Sequence, residues 1–315
     1  MRTLLLSLIF AVAAYAQQSW NTPFPPHKVI GNVYFIGSKE LASFLITTPE
    51  GHILVNSDFE STVPLLRSNV EKLGFKFSDV KIVLGSHAHG DHMEADALVK
   101  EYTGAKVMAM DQDVAALKAM RPGGKEHPID RVLKDGDKVT LGGVTLTANL
   151  TAGHTAGCTS WTFQAEDAGK KYDVLIVCSV GVNANYVLVG DKRNYPSIVE
   201  DYRKSFARVR AMKVDVFLGA HPNYYGLEAK YAKLDQGWAR PGQPNAFADA
   251  DGYKAYVADR EQAFLKELQR QRVRDRRTAV PTLAERARGS KHQQAAPALV
   301  DEVGNHLKLV SRERT

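Results

Sequence analysis

The chain has 315 residues, enough for one large domain or two small ones, and its 44% apolar and 24% charged residues are ordinary for a soluble globular protein. The formal net charge of +6 lies wholly in residues 266–315, which hold twelve Lys/Arg and six Asp/Glu, so it argues against a nucleic-acid-binding domain. We predict a flexible basic tail over residues 271–315, with a contact to a polyanion as the open alternative.

Residues 1–16 have the features of a secretory signal peptide. Arg2 precedes an apolar stretch over residues 4–14, and Ala14-Tyr15-Ala16 is an A-x-A cleavage site. The stretch is too short for a comfortable membrane span, and no other segment is long and apolar enough. We therefore predict an exported protein, periplasmic or secreted, without stable membrane insertion and with its main domain over residues 17–270.

The first half of the chain predicts strands alternating with helices. Strands are predicted at residues 29–36, 43–48, 52–56, 80–84 and 105–110. Helices are predicted at residues 61–73, 94–101 and 111–120. The first three strands form an antiparallel meander, and Asp111 is expected to cap the third helix.

The second half continues the alternation. Strands are predicted at residues 138–141, 144–150, 159–164, 172–177 and 214–218. Helices are predicted at residues 196–212, 226–234 and 251–270. Gly142-Gly143 is a hairpin turn, and Pro196 is expected in the first turn of its helix. The whole pattern indicates α/β layers around one core.

The two cysteines, Cys158 and Cys178, lie at the outer ends of the strand pair 159–164 and 172–177. If Gln164 faces Tyr172 across the pair, the cysteines face each other as well. Direct cross-strand pairs suit disulfide geometry poorly, so a disulfide and two buried thiols remain equally open.

Four metal-ligand side chains follow the predicted strand 80–84 within six residues: His87, His89, Asp91 and His92. Imidazole and carboxylate groups together suit zinc and related metals. One tetrahedral zinc ion would be crowded by all four side chains. The cluster therefore indicates two metal ions.

His154 and His221 share the same context, in which a strand ends, a small residue follows and a histidine comes next. His52 and His127 lack it and are predicted to be structural or solvated. The six donors suit two zinc ions with three protein ligands each. A hydroxide shared by two zinc ions is a strong nucleophile near neutral pH, so the pattern predicts hydrolysis of a carbonyl or phosphoryl centre.

Three motifs follow one another along the chain: Ser-His-Ala-His-Gly-Asp-His at 86–92, Gly-His-Thr-Ala-Gly-Cys-Thr-Ser-Trp at 153–161 and Gly-Ala-His-Pro at 219–222. In this order they resemble the metallo-β-lactamase superfamily, and closely its subclass B3 of β-lactamases. The resemblance covers roughly residues 28–268. It implies an α/β fold, a four-layer αβ/βα sandwich of two packed, mostly antiparallel or mixed sheets with outer helices.

The same resemblance implies two Zn²⁺ ions and a set of site residues. One zinc ion would be held by His87, His89 and His154, and the other by Asp91, His92 and His221. Asp91 would also be catalytic, orienting the hydroxide, and the substrate contacts would be Ser179, Asn185 and Tyr186.

The end of the strand 172–177 separates the subclasses. Subclass B1 has a metal-binding cysteine where Ser179 stands, although an alignment shifted by one residue would place Cys178 there. Glyoxalase II and lactonase relatives have an aspartate on this strand that bridges the metals. Val177, Cys178 and Ser179 offer no carboxylate, which favours a β-lactamase.

The leading prediction is zinc-dependent hydrolysis of the β-lactam amide bond in penicillins, cephalosporins and carbapenems, by a monomer that confers antibiotic resistance and binds no nucleic acid. One alternative is another exported binuclear zinc hydrolase, acting on a lactone, thioester or phosphoester. A second is a non-catalytic protein that binds metal or a polyanion.

Overall fold

The computed structural model describes residues 20–234 and 245–279, with side chains through residue 276. The predicted signal peptide and the tail beyond residue 279 lie outside this part of the chain. Contacts group the chain into two units, Met1–Gln271 and Arg272–Thr315. In the second unit only residues 272–279 are described, and they are helical.

Two mixed β-sheets form the centre of the first unit. The first sheet contains, in spatial order, β1 (His27–Ile30), β2 (Val33–Phe35), β3 (Phe44–Thr48), β4 (Gly51–Val55), β5 (Val80–Leu84), β6 (Lys106–Met110) and β7 (Arg131–Leu133). Its first four strands are antiparallel, and the pairs from β4 to β7 are parallel.

The second sheet has five strands in the spatial order β12-β11-β10-β9-β8. Their bounds are β8 (Lys138–Leu141), β9 (Val144–Leu150), β10 (Thr159–Asp167), β11 (Lys170–Val177) and β12 (Val216–Gly219). The strands β8 to β11 are antiparallel, and β12 runs parallel to β11.

Helices lie outside both sheets. Those in the described residues are α1 (Val63–Lys72), α2 (Gly90–Met93), α3 (Asp96–Thr103), α4 (Val114–Met120), α5 (Ile198–Ala211), α6 (Leu227–Lys233) and α7 (Ala250–Ala279). Successive side chains of β5 point to opposite faces of the first sheet. Leu84 packs between the two sheets, whereas Val83 packs on the outer face. There it joins Leu66 of α1 and Val99 of α3. The sandwich that the resemblance implied is confirmed.

Several predicted elements need correction. The strand predicted at residues 29–36 is a hairpin of β1 and β2, broken at Gly31, whose φ is +52°. The helix predicted at residues 111–120 begins at Val114 after a 3₁₀ turn, and Asp111 makes no capping bond. Pro196 precedes α5 rather than standing in its first turn, and α7 runs beyond residue 270.

The hairpin that carries the cysteines is shifted by one residue from the predicted register. Gln164 faces Asp173 and Ala165 faces Tyr172. Cys158 and Cys178 therefore lie beyond the paired segment and are not directly opposite, with their Cα atoms 5.9 Å apart, and they form a disulfide. Of the two alternatives, the structure has the bridge.

Candidate metal centre

The loop after β5 carries four of the predicted ligands, and side chains from both sheets fix its backbone. The amide of Ser86 donates to Asn56 Oδ1 at 2.9 Å, and Trp161 Nε1 donates to the carbonyl of Gly85 at 3.1 Å. A Cβ on Gly85 would overlap the side chain of Met93. The loop is thus held between the ends of β4 and β10.

His87, His89 and His154 form the first cluster. His89 Nδ1 lies 3.1 Å from His87 Nε2 and 3.2 Å from His154 Nε2. Nitrogen ligands at 2.0–2.1 Å from a tetrahedral zinc ion are separated by about 3.3 Å. Both distances from His89 therefore match the spacing of ligands to one metal ion, and all three donor atoms lie within 4.8 Å of one another.

The protonation of this cluster also suits a metal. Burial lowers the pKa of His154 to about 3 and that of His87 well below the usual range. The Nδ1–H of His154 donates to the carbonyl of Gly181 at 3.1 Å, which leaves its Nε2 lone pair for the cluster. Neutral imidazoles with a fixed outer hydrogen bond are the form that binds metal ions.

Asp91, His92 and His221 form the second cluster. Asp91 Oδ2 lies 3.1 Å from His92 Nε2 and 3.5 Å from His221 Nε2. The Nδ1–H of His221 donates to the carbonyl of Glu40 at 3.0 Å, so Nε2 is the free nitrogen. Each side chain turns one donor atom toward a common point.

Charge is distributed unevenly over the second cluster. Burial opposes ionisation of Asp91, but His92 and His221 hold the pKa of this carboxyl well below its usual range. Burial lowers the pKa of His221 to about 4. Asp91 therefore supplies an anionic ligand beside a neutral imidazole.

The two clusters adjoin, since the rings of His87 and His92 are 4.3 Å apart between centroids. The ring of His92 is fully buried, its Nδ1 has no hydrogen-bond partner, and its Nε2 lies against the Asp91 carboxylate of its own cluster at 3.1 Å. Buried polar nitrogens without hydrogen bonds are rare and costly unless another partner binds them. The six donors therefore fit a metal centre.

The predicted substrate contacts all lie in the segment after β11, which ends at Val177. Ser179 is buried, and its Oγ is 2.8 Å from the hydroxyl of Tyr224. Tyr186 is also buried, and its hydroxyl donates to the carbonyl of His154 at 2.6 Å. Asn185 is exposed. In this arrangement Tyr186 supports a ligand residue, and its contact with substrate stays a prediction.

The sulfur of Cys178 lies on the far side of the first cluster. It is 3.5 Å from His87 Nδ1, whereas His87 Nε2 faces the other donors. Because this sulfur is in the disulfide with Cys158, it is not available as a metal ligand. His127, predicted to be structural or solvated, is buried in an ion pair with Asp96.

Three residues that the sequence patterns did not indicate also border the centre. The buried carboxyl of Asp58 accepts a hydrogen bond of 2.6 Å from Ser43, and burial raises its pKa to about 7. The Trp20 ring lies 5.9 Å from that of Phe59 and meets the ring of His221 edge-on at 6.3 Å. Trp20 and Phe59 form an aromatic wall beside the second cluster, but neither belongs to a histidine motif.

Comparisons with known proteins agree with this geometry. The model of a family described as the metallo-beta-lactamase superfamily matches residues 42–221. The native FEZ-1 metallo-beta-lactamase from Legionella gormanii is 44% identical, covers 80% of this chain and 98% of its own, and has a TM-score of 0.74. BJP-1, a subclass B3 metallo-beta-lactamase of Bradyrhizobium japonicum, is 37% identical, with coverages of 82% and 98% and a TM-score of 0.75.

Curated relatives give a second kind of match. A hydroxyacylglutathione hydrolase of Hyphomonas neptunium is 26% identical over 165 residues, which are 52% of this chain and 56% of that protein. One from Rhodopseudomonas palustris strain BisB5 is 27% identical over 205 residues, with coverages of 64% and 75%. No helix in the described ranges is long and apolar enough to cross a membrane.

Proposed function

The chain belongs to the metallo-β-lactamase superfamily, and on that premise we propose that it is a zinc-dependent β-lactamase of subclass B3 that hydrolyses penicillins, cephalosporins and carbapenems. The end of β11 carries this proposal. It adjoins the first cluster through Cys178 and Gly181, yet it offers Ser179 where thioesterase relatives have a bridging aspartate. The 44% identity to FEZ-1 supports the same choice.

In this proposal, His87, His89 and His154 hold one zinc ion, while Asp91, His92 and His221 hold a second. Zinc bound there would polarise a carbonyl oxygen and lower the pKa of water toward neutrality. Asp91, kept ionised by its histidine neighbours, orients the attacking water. Ser179 binds the substrate carboxylate, and the wall of Trp20 and Phe59 packs against apolar substituents.

A thioester hydrolase is the second candidate, because the curated relatives are hydroxyacylglutathione hydrolases. Lactones and phosphoesters belong to the same set of alternatives. The non-catalytic alternative is less favoured, because six donors in two clusters are more than a polyanion-binding protein needs. We further propose that the protein is exported, monomeric and independent of nucleic acid.

A steady-state assay of the purified zinc-loaded protein separates these candidates. We expect turnover of a penicillin, a cephalosporin and a carbapenem, loss of turnover with a chelator, and recovery when zinc is added back. His89→Ala should lower kcat/KM by about 100-fold or more, since even residues outside a metal's ligands cost 10–100-fold. Turnover of a glutathione thioester, an aryl lactone or a phosphodiester without turnover of any β-lactam would contradict the proposal.

A further inference from the structure

We propose that Asp113 is a positioning residue for the first cluster, because its carboxylate ties the loop of His87 and His89 to the loop of His154. Asp113 comes after β6, on neither loop. The side chain is almost fully buried, with 3% of its surface exposed. It is therefore placed to fix two segments that are far apart in sequence.

Three hydrogen bonds make this connection. Asp113 Oδ2 accepts from the amide of Ala88 at 2.8 Å and from the hydroxyl of Thr155 at 2.9 Å. Asp113 Oδ1 accepts from the amide of Gly157 at 2.7 Å. Ala88 stands between His87 and His89 in the sequence, and Thr155 follows His154. Each donor of the first cluster is thus one residue away from a group that Asp113 binds.

The packing leaves little freedom at this junction. A Cβ built on Gly157 would lie 2.5 Å from the carboxyl carbon and 2.6 Å from the Cβ of Asp113, closer than real Cβ atoms approach. Gly157 therefore brings the loop of His154 into direct contact with the carboxylate. The contact is specific in geometry, and no larger residue at position 157 would keep it.

A conventional role in the helix does not explain Asp113. It occupies the N-cap position of α4, where aspartate commonly accepts a hydrogen bond from the first turn. Its side chain makes no such bond. The neighbouring Asp111 is exposed and also makes no capping bond, so the two carboxylates differ in burial and in the contacts of Asp113 with the ligand loops.

The test measures metal binding, with each cluster isolated in a separate background. Asp113→Asn keeps the shape but places an amide NH₂ near backbone donors, and Asp111→Asn is the matched control for charge. In a His221→Ala background, zinc competition with a chromophoric chelator reports the first cluster. In a His154→Ala background, it reports the second.

We expect Asp113→Asn to weaken zinc binding by the first cluster 10- to 100-fold, the range for groups that orient metal ligands. In Asp113→Asn, zinc binding by the second cluster should change by less than about 3-fold. In Asp111→Asn, zinc binding by either cluster should change no more than that. Equal losses at both clusters would indicate a general effect on folding and would overturn the inference. Unchanged binding by the first cluster would also overturn it.

If Asp113→Asn does not fold, Thr155→Val removes one of the three donors and leaves the carboxylate. This variant must then weaken the first cluster at least about 3-fold relative to Asp111→Asn, or the inference fails. The inference rests on the metal-binding part of the proposed function and not on the substrate. Absence of zinc binding in the unmodified first cluster would contradict the proposed function instead.

Discussion

At the scale of single residues, Ser179 and Tyr224 share one hydrogen bond beside the metal centre, with 2.8 Å between their oxygens. Burial raises the pKa of Tyr224 to about 12, so its phenol stays protonated at neutral pH. The Ser179 hydroxyl is therefore held by a neutral partner. Ser179 could have either of two roles: it contacts the substrate, or it only holds Tyr224 in place through this bond.

Two variants distinguish these roles. Ser179→Ala removes both the bond and the substrate contact, whereas Tyr224→Phe removes only the bond. We expect Ser179→Ala to raise KM for a β-lactam about 10-fold with kcat nearly unchanged, because it loses a hydrogen bond to the charged carboxylate of the substrate. Tyr224→Phe should raise KM less. Equal increases in KM would show that Ser179 acts only through its bond to Tyr224 and would contradict the substrate contact.

Gly153, which precedes His154, is a backbone requirement of the first cluster. Its φ is +145°, and an added Cβ would lie 2.6 Å from the ring of Tyr202. Gly143 makes a matched comparison, since its φ of +85° is also unfavourable for other residues but no atom lies within 4 Å of an added Cβ. Gly143 therefore reports the cost of a moderately positive φ alone, whereas Gly153 adds the clash with Tyr202 and a φ further from the left-handed helical region.

We expect Gly143→Ala to lower the free energy of unfolding by about 1 kcal/mol, the usual penalty for an L-residue at positive φ. Gly153→Ala should cost about 2 kcal/mol more, because its φ is less favourable for an L-residue and because an added Cβ forces overpacking against Tyr202. Urea unfolding of both variants measures the difference. Equal losses would contradict an added cost at Gly153 from either its φ or the contact with Tyr202.

The histidine motifs indicated the six donors, and the family resemblance implied how they divide into two clusters, but neither indicated what holds them. His154 and His221 could be found because each follows the end of an apolar strand. Asp113 gave no signal in the sequence, where Asp111 was the predicted cap of this helix. Its actual partners, Ala88 and Gly157, lie 25 and 44 residues away, and local patterns carry no information about such contacts.

At the scale of elements, an ion pair fastens the loop of residues 121–130 to the helices after the histidine motif. His127 Nε2 lies 3.2 Å from Asp96 Oδ2 and 3.0 Å from the carbonyl of Met93, and its Nδ1 faces the carbonyl of Pro128 at 3.1 Å. Both ring nitrogens face acceptors, an arrangement that favours the protonated ring. Burial opposes this charge, but Asp96 and the two carbonyls raise the pKa of His127 above its usual value.

A histidine whose pKa is higher in the folded state than in the unfolded state stabilises the fold. This stabilisation is complete below the unfolded-state pKa of about 6.5, and it is lost as the pH rises through the folded-state pKa. We expect the free energy of unfolding of the unmodified protein to fall relative to His127→Gln as the pH rises from 6 to 9. Urea unfolding of the metal-free proteins measures this difference. Asp96→Asn should remove the same slope, and a difference independent of pH would contradict the charged state.

The elements with clear local signals were predicted well. The strand β5 and the hairpin of β8 and β9 match their predicted residues, because apolar runs and Gly142-Gly143 mark them. The hairpin of β10 and β11 extends much further than its apolar part and turns at Ala168-Gly169, where both φ values are positive. Charged residues at the solvated ends of strands have the composition of a loop, and alanine does not indicate a turn. The predicted pairing of the two strands was therefore wrong by one residue.

At the scale of the whole molecule, a contact of Gln271 in the last third of α7 shows how far the chain contributes to the site. Gln271 is buried, its Oε1 accepts from the amide of Leu188, and its Nε2 donates to the carbonyl of Tyr186, both at 2.7 Å. These bonds fasten the loop of residues 182–194, whose Tyr186 supports His154. The predicted domain end at residue 270 falls one residue short of this contact.

Two truncations and one substitution test where the functional part ends. A chain ending at residue 279 keeps Gln271, and we expect its free energy of unfolding and its β-lactam kcat/KM to match the full chain. A chain ending at residue 270 and the full-length Gln271→Ala variant both lose two buried hydrogen bonds, so each should lose about 2 kcal/mol of stability.

If removal of residues 280–315 alone abolished function, the basic tail would carry it, as expected for a polyanion-binding protein. If Gln271→Ala behaved like the unmodified chain, the loop would be held by other contacts.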